Sequence, residues 1–127
     1  MKDQHAALDV LLIEDEFLIR WAISHTLASA GHHVVEAADA ASAITMLARM
    51  GGHPDVVLLD YRLPDTDGLS LFASIRQLAP ESAVVLMTAD ATPDALRAVE
   101  LGAAAIMQKP FDMSDVEPAL VSAVARA

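Results

Sequence analysis

Not one of the 127 residues is a cysteine. That excludes a disulfide framework and any thiolate metal site, and the chain carries no sign of an oxidising compartment. Long hydrophobic runs are missing as well. No stretch reaches the roughly 18 to 20 apolar residues that span a bilayer, and the N-terminus has no signal-peptide core, so a soluble cytoplasmic protein without membrane association is expected. Positive charge is scarce: 8 Lys and Arg against 18 Asp and Glu give a formal net charge of −10, and Lys2 and Lys109 are the only lysines. With no basic stripe, a phosphate backbone would be repelled, which excludes direct nucleic-acid binding by this chain. A glycine-rich phosphate cradle is also lacking. The loop after the first predicted strand reads Glu14-Asp15-Glu16, which argues against a flavin or nucleotide binder.

What is present is apolar content, at 54%, enough for one domain with a sizeable core. We read residues 1–127 as a single domain with its core over about 7–126 and nothing left for a second one, so any output would come from a partner or from a segment outside this sequence. Strand-like and helix-like patterns alternate five times, the mark of an α/β domain with a parallel sheet. Leu8 to Ile13 forms the first strand. Ile19, Ile23, Leu27 and Ala30 mark helix one, which Gly31 stops, and His33 to Glu36 forms strand two. Asp39 caps helix two, with Ile44, Leu47 and Ala48 on its inner face. Val56 to Asp60 forms strand three, and Leu71, Phe72, Ile75 and Leu78 mark helix three. Ala83 to Met87 is strand four, Thr92-Pro93 opens helix four and Gly102 ends it. Ala103 to Met107 is strand five, and Ser114 with Glu117 predicts a capping box on the last helix.

The chemistry lies where these strands run out. Strand one ends at Glu14-Asp15 and strand three at Asp60, and ligand sites in parallel sheets lie beyond the carboxyl ends of the strands. If strands one and three are neighbours, three carboxylates share a small volume and repel one another. Without a counter-ion at least one pKa rises, whereas a hard divalent cation would keep all three ionised; Mg²⁺ suits so small a set of carboxylates because waters, a carbonyl and a phosphoryl oxygen can complete its shell. Lys109 follows strand five and can reach a carboxylate or phosphoryl oxygen, and Thr88 ends strand four with a hydroxyl that donates without adding charge. Together these groups suit phosphoryl transfer onto Asp60 as nucleophile.

Five segments carry a resemblance over essentially the whole chain: Glu14-Asp15, Asp60 after Val-Val-Leu-Leu with the Leu63-Pro64-Asp65-Thr66-Asp67-Gly68 loop, Thr88-Ala89, Leu101-Gly102-Ala103, and Lys109-Pro110-Phe111. In this order the chain resembles the receiver domain of bacterial two-component response regulators. Leu18-Ile19-Arg20-Trp21 and Tyr61 to Asp65 look closest to receivers of enhancer-binding transcriptional activators. The resemblance implies a flavodoxin-like (βα)5 sandwich, a five-stranded parallel sheet of order 2-1-3-4-5 with helices on both faces. It also implies Asp60 as phosphoacceptor; Glu14, Asp15, Asp60 and the Arg62 carbonyl as Mg²⁺ ligands; Thr88 and Lys109 on the phosphoryl group; and a cis Lys109-Pro110 bond. The donor would be a phosphohistidine on a sensor histidine kinase or a histidine phosphotransfer protein, and the chain would turn over no external substrate. The output partner is unnamed by the sequence, and a homodimer through the face of helix four, strand five and helix five is a family-based expectation.

Some positions depart from that pattern or carry a plainer reading. Ile106 stands where the family usually has an aromatic residue three before the lysine, so ring rotation cannot read out the switch; it serves equally as an apolar strand residue. Arg62 and Asp90, two after Asp60 and Thr88, occupy positions that tune phosphoryl lifetime in the family, or form a surface ion pair worth about 0 to 1 kcal/mol. Trp21 lies about 200° around helix one from Ile19, and packing against the last helix is expected for so large a ring. The five histidines have no metal-binding spacing, and His32-His33 reads as a turn. A receiver fold used only for docking, independent of phosphorylation, is the main alternative. A haloacid-dehalogenase-like phosphatase is disfavoured because Arg62 stands where its second acid would be.

Overall fold

The computed structural model describes residues 7–89 and 93–126. Expectations that fall on Lys2, His5, Asp90 and Thr92 lie outside the described residues. Five strands, β1 (Asp9–Ile13), β2 (His33–Ala37), β3 (Val56–Asp60), β4 (Ala83–Thr88) and β5 (Ala105–Gln108), form one parallel sheet of order β2-β1-β3-β4-β5. The helices are α1 (Phe17–Ser29), α2 (Ala40–Arg49), α3 (Gly68–Leu78), α4 (Pro93–Glu100) and α5 (Val116–Arg126). This is the flavodoxin-like order 2-1-3-4-5 with helices on both faces.

The nearly unbroken apolar strands are explained by two cores. Successive side chains of a strand point to opposite faces. Leu11, Ile13, Val57, Leu59, Val84 and Leu86 pack with Ala43, Leu47, Leu71, Phe72, Ile75 and Ala98 from α2, α3 and α4. Val10, Leu12, Val56, Leu58, Val85 and Met87 pack on the other face with Ile23 and Leu27 of α1 and Val116, Leu120 and Ala123 of α5. After β1 the chain goes outward to β2 and then crosses to β3 on the other side of β1, so the order reverses between β1 and β3. Ligand crevices in open α/β sheets form at this reversal.

Local differences from the sequence reading have physical causes. Arg62-Leu63 and Thr66-Asp67 form a two-residue antiparallel ladder, so the loop after β3 is a tight hairpin. The capping box sits on α2, where Asp39 accepts the Ser42 N–H at 2.7 Å and Ser42 Oγ accepts the Asp39 N–H at 3.3 Å. At the last helix, a 3₁₀ turn over Met113–Asp115 precedes α5, so Ser114 is not its cap; Glu117 Oε2 instead meets His32 Nε2 at 2.6 Å. His32 is buried and its Nδ1 accepts the Leu8 N–H at 2.9 Å, which puts the ring proton on Nε2 and lets it donate to Glu117. His33 opens β2 rather than lying in a turn. Ala48 is exposed, because Ala43 and Leu47 carry the inner face of α2. Leu78, the last residue of α3, is 52% exposed. Trp21 is 55% exposed and stacks on His25 with ring centroids 5.0 Å apart, one helical turn on, instead of burying itself against α5. β5 starts at Ala105 and runs one residue past Met107.

Candidate functional site

β1 and β3 pair in register up to Ile13 opposite Leu59, so Glu14 and Asp60 leave the sheet side by side. The Glu14 N–H donates to the Ala37 carbonyl at 3.0 Å, extending the β1–β2 ladder by one residue. Its side chain is fully buried: Oε2 accepts the Glu16 N–H at 3.1 Å, and Oε1 accepts from Lys109 Nζ at 2.8 Å. Asp15, next in the chain, is exposed. Asp60 is 4% exposed; its Oδ1 accepts the Arg62 N–H at 3.0 Å, and its Oδ2 lies 3.5 Å from Lys109 Nζ. One carboxylate oxygen from each of Glu14, Asp15 and Asp60 lies within 4.8 Å of the others.

The far side of the cleft is built by β4 and β5. Thr88 pairs with Gln108 across the two strands, and the Thr88 carbonyl accepts the Lys109 N–H at 2.7 Å, which fixes the backbone from which the ammonium reaches back to the acids. The Lys109-Pro110 bond is cis. Thr88 itself is buried, and Ala89 lines the cleft beside Glu14, Asp15, Asp60, Arg62 and Lys109. A larger cleft of about 820 Å³ lies at the opposite ends of the strands, around His53, Arg76 and Gly102, and gathers none of these groups.

The electrostatics follow from the burial. Burial, then the hydrogen bond and charge of Glu14, push the Asp60 pKa up to about 7, against the opposing Arg62 amide and Lys109 ammonium. Burial disfavours the Lys109 ammonium, yet its hydrogen bond to Glu14 and the charges of Asp60 and Glu14 carry its pKa above the ordinary lysine value. One ammonium against three carboxylates leaves the pocket net negative. Hard oxygens at this spacing, partly desolvated and undercompensated, fit a divalent cation, with the exposed Asp15 on the open side.

Residues 10–121 match the response regulator receiver domain family. The chain belongs to it. Among relatives of this receiver domain, the transcriptional regulatory protein PdtaR of Mycobacterium tuberculosis is 38% identical, over 92% of this chain and 57% of its own length. The response regulator protein FleR of Pseudomonas aeruginosa is 39% identical, over 94% of this chain and 24% of its own. The DNA-binding transcriptional regulator NtrC of Escherichia coli is 36% identical, over 84% and 22%. The chain thus spans between about a fifth and three fifths of these relatives. In solved structures, NtrX of Brucella abortus superposes with a TM-score of 0.87 at 30% identity, covering 95% of this chain and 27% of that one. The chemotaxis protein CheY4 of Vibrio cholerae gives 0.84 at 26%, covering 93% and 99%. NtrC and FleR being among the relatives agrees with the resemblance carried by Leu18 to Trp21 and Tyr61 to Asp65.

The structure thus gathers Glu14, Asp15, Asp60, Arg62 and Lys109 at one cleft and puts Thr88 at its β4 edge. It places Ile106 elsewhere: opposite Leu86 and partly buried against the core shared with α2, α3 and α4. Arg62 is exposed, and its backbone rather than its guanidinium touches Asp60. Two features had no signal in the sequence. The Glu16 N–H is a ligand for Glu14, because the chain turns immediately after the acidic pair. Arg20 in α1 reaches back to the Glu14 carbonyl, a contact between residues six apart that no helical spacing rule anticipates.

Proposed function

We propose that this receiver accepts a phosphoryl group on Asp60 from a phosphohistidine carried by a sensor histidine kinase or a histidine phosphotransfer protein. The observation that carries the reading is a nearly buried carboxylate with an ammonium 3.5 Å away and two further acids within 4.8 Å. A carboxylate oxygen of Asp60 forms the new bond to phosphorus while the bond from phosphorus to the donor imidazole nitrogen breaks, and that nitrogen keeps the electron pair. The Arg62 amide fixes the Asp60 carboxylate through Oδ1, leaving Oδ2 toward Lys109. The Lys109 ammonium and the Thr88 hydroxyl then serve the transferred oxygens.

Asp15, Asp60 and Glu14, with the Arg62 carbonyl, are the residues that would hold Mg²⁺. When bound, the cation keeps Asp60 ionised and neutralises charge on the transferred group. Glu14 has a second duty, since its two oxygens already hold Lys109 and the Glu16 amide. The domain acts on itself and turns over no external substrate. It works in the cytoplasm, consistent with the lack, among the described residues, of a helix long and apolar enough to cross a membrane. Leu96, Val99 and Leu101 are exposed on and just after α4, so a homodimer through the α4–β5–α5 face has apolar surface to use, and the output partner reads this face.

Incubation with acetyl phosphate and Mg²⁺ tests the reading by mass spectrometry. A phosphate-sized gain that Asp60→Asn abolishes is the expected result. No gain in the parent would favour the alternative, a receiver fold that docks independently of phosphorylation.

A further inference from the structure

Arg20 is the fourth residue of α1, about one turn in, yet it serves the acidic loop in front of that helix. Its Nη1 donates to the Glu14 backbone carbonyl at 2.9 Å and its Nε to Glu36 Oε1 at 3.0 Å. Its side chain is 17% exposed, and its guanidinium carbon lies 5.7 Å from the centre of the Phe17 ring. The planar guanidinium therefore joins the end of β2, the first turn of α1 and the peptide between Glu14 and Asp15.

That peptide is where the two cation-binding acids meet. The Glu14 N–H is held by Ala37, the Glu14 side chain by Glu16 and Lys109, and the Glu14 carbonyl by Arg20. Asp15 is exposed, and the peptide before it sets where its Cα and Cβ lie, and so the arc over which its carboxylate can swing. The Arg20 bond is the only one of the four that holds this peptide on the Asp15 side. Glu36 fixes the fork of Arg20 and offsets its charge, so the arginine can hold a neutral carbonyl without competing with a cation for the acids.

We propose that Arg20, anchored by Glu36, is a positioning residue that sets the Asp15 carboxylate for the cation. The proposal rests on the cation site described above. Outer partners that orient ligands are worth about 10- to 100-fold in metal affinity.

The test is calorimetric titration of the whole protein with MgCl₂, alongside thermal denaturation in chelator. Arg20→Met, which keeps the apolar stem, should weaken Mg²⁺ binding about ten-fold or more. Arg20→Lys, which can reach the carbonyl or Glu36 but not both, should fall between it and the parent. A Mg²⁺ affinity of Arg20→Met within about two-fold of the parent overturns the proposal, even if the melting temperature drops, because that pattern is a purely structural role. If Arg20→Met does not fold, Glu36→Gln decides: a loss of about three-fold supports the anchor, and unchanged affinity overturns it. A parent that binds no Mg²⁺ brings down the cation site and this proposal together. A parent that binds it with Arg20→Met unaffected brings down this proposal alone.

Discussion

Asp60, the nucleophile we propose, sits in a place that discourages its charge. In the unfolded chain an aspartate ionises near about 3.9, whereas in the metal-free fold burial and Glu14 move Asp60 to about 7. Between those values the unfolded state has released a proton that the fold retains. Stability therefore falls as pH rises through this window, with a slope approaching about 1.4 kcal/mol per pH unit, and the full penalty stands above pH 7. Asp60→Asn removes it. In chelator, the melting temperature of Asp60→Asn should exceed that of the parent by an amount that grows from pH 4.5 to 7.5 and then levels off. A difference independent of pH would show that Asp60 ionises as an ordinary surface acid does. The need for acids and their pairing was legible in the sequence, because strand-end carboxylates are visible as apolar runs that stop. The identity of Lys109's nearest partner was not: the ammonium sits closer to Glu14 than to Asp60, and the Glu16 N–H holds the other Glu14 oxygen through a turn that local spacing does not show.

At the scale of single elements, the loop after β3 shows how tightly the proposed phosphoacceptor, Asp60, is tied to its neighbours. Asp65 accepts the N–H groups of Ala40 and Ala41 at 2.8 and 3.1 Å, so this loop caps α2 together with Asp39. Asp67 accepts the Ser70 N–H at 2.8 Å and caps α3. Directly after Asp67, Gly68 begins α3 against Tyr61, the residue that follows Asp60; a methyl group on Gly68 would collide with both the Tyr61 ring and its carbonyl. The ring can turn away, but the carbonyl belongs to the backbone that positions Asp60. Gly68→Ala should therefore destabilise by about 1 to 3 kcal/mol in urea unfolding, and adding Tyr61→Ala should restore only part of the loss. Complete rescue would place the clash in the ring alone. The sequence placed α3 well from Leu71, Phe72 and Ile75, but it showed only a loop bracketed by Pro64 and Gly68. A two-residue ladder has too few positions to display a period. The last helix misled for a related reason: Ser114 and Glu117 have capping-box spacing, but Glu117 finds a buried histidine 85 residues away, a tertiary contact that local spacing cannot encode.

Over the whole molecule, two cores back to back on one sheet account for the apolar composition, and the acids left over account for the charge. The alternation of the β1 and β3 side chains between the two cores follows directly from their unbroken apolar runs. The order 2-1-3-4-5 does not; it came from the resemblance to the family, since spacing alone leaves the side on which each crossover lands undecided. A net charge of −10 on this frame makes two different electrostatic responses separable. Added NaCl screens the repulsion among dispersed acids and should raise the melting temperature modestly in chelator. MgCl₂ at matched ionic strength should raise it further, because a cation held by the folded cleft stabilises by mass action, about 2.7 kcal/mol at a hundred times its dissociation constant. Asp15→Asn separates the two. Asp15 is exposed, so the substitution leaves the core untouched, and the variant should keep the NaCl response while losing most of the extra gain from MgCl₂. If the gain survives undiminished in Asp15→Asn, the cation is acting on the diffuse charge of the whole surface and not at the end of β1.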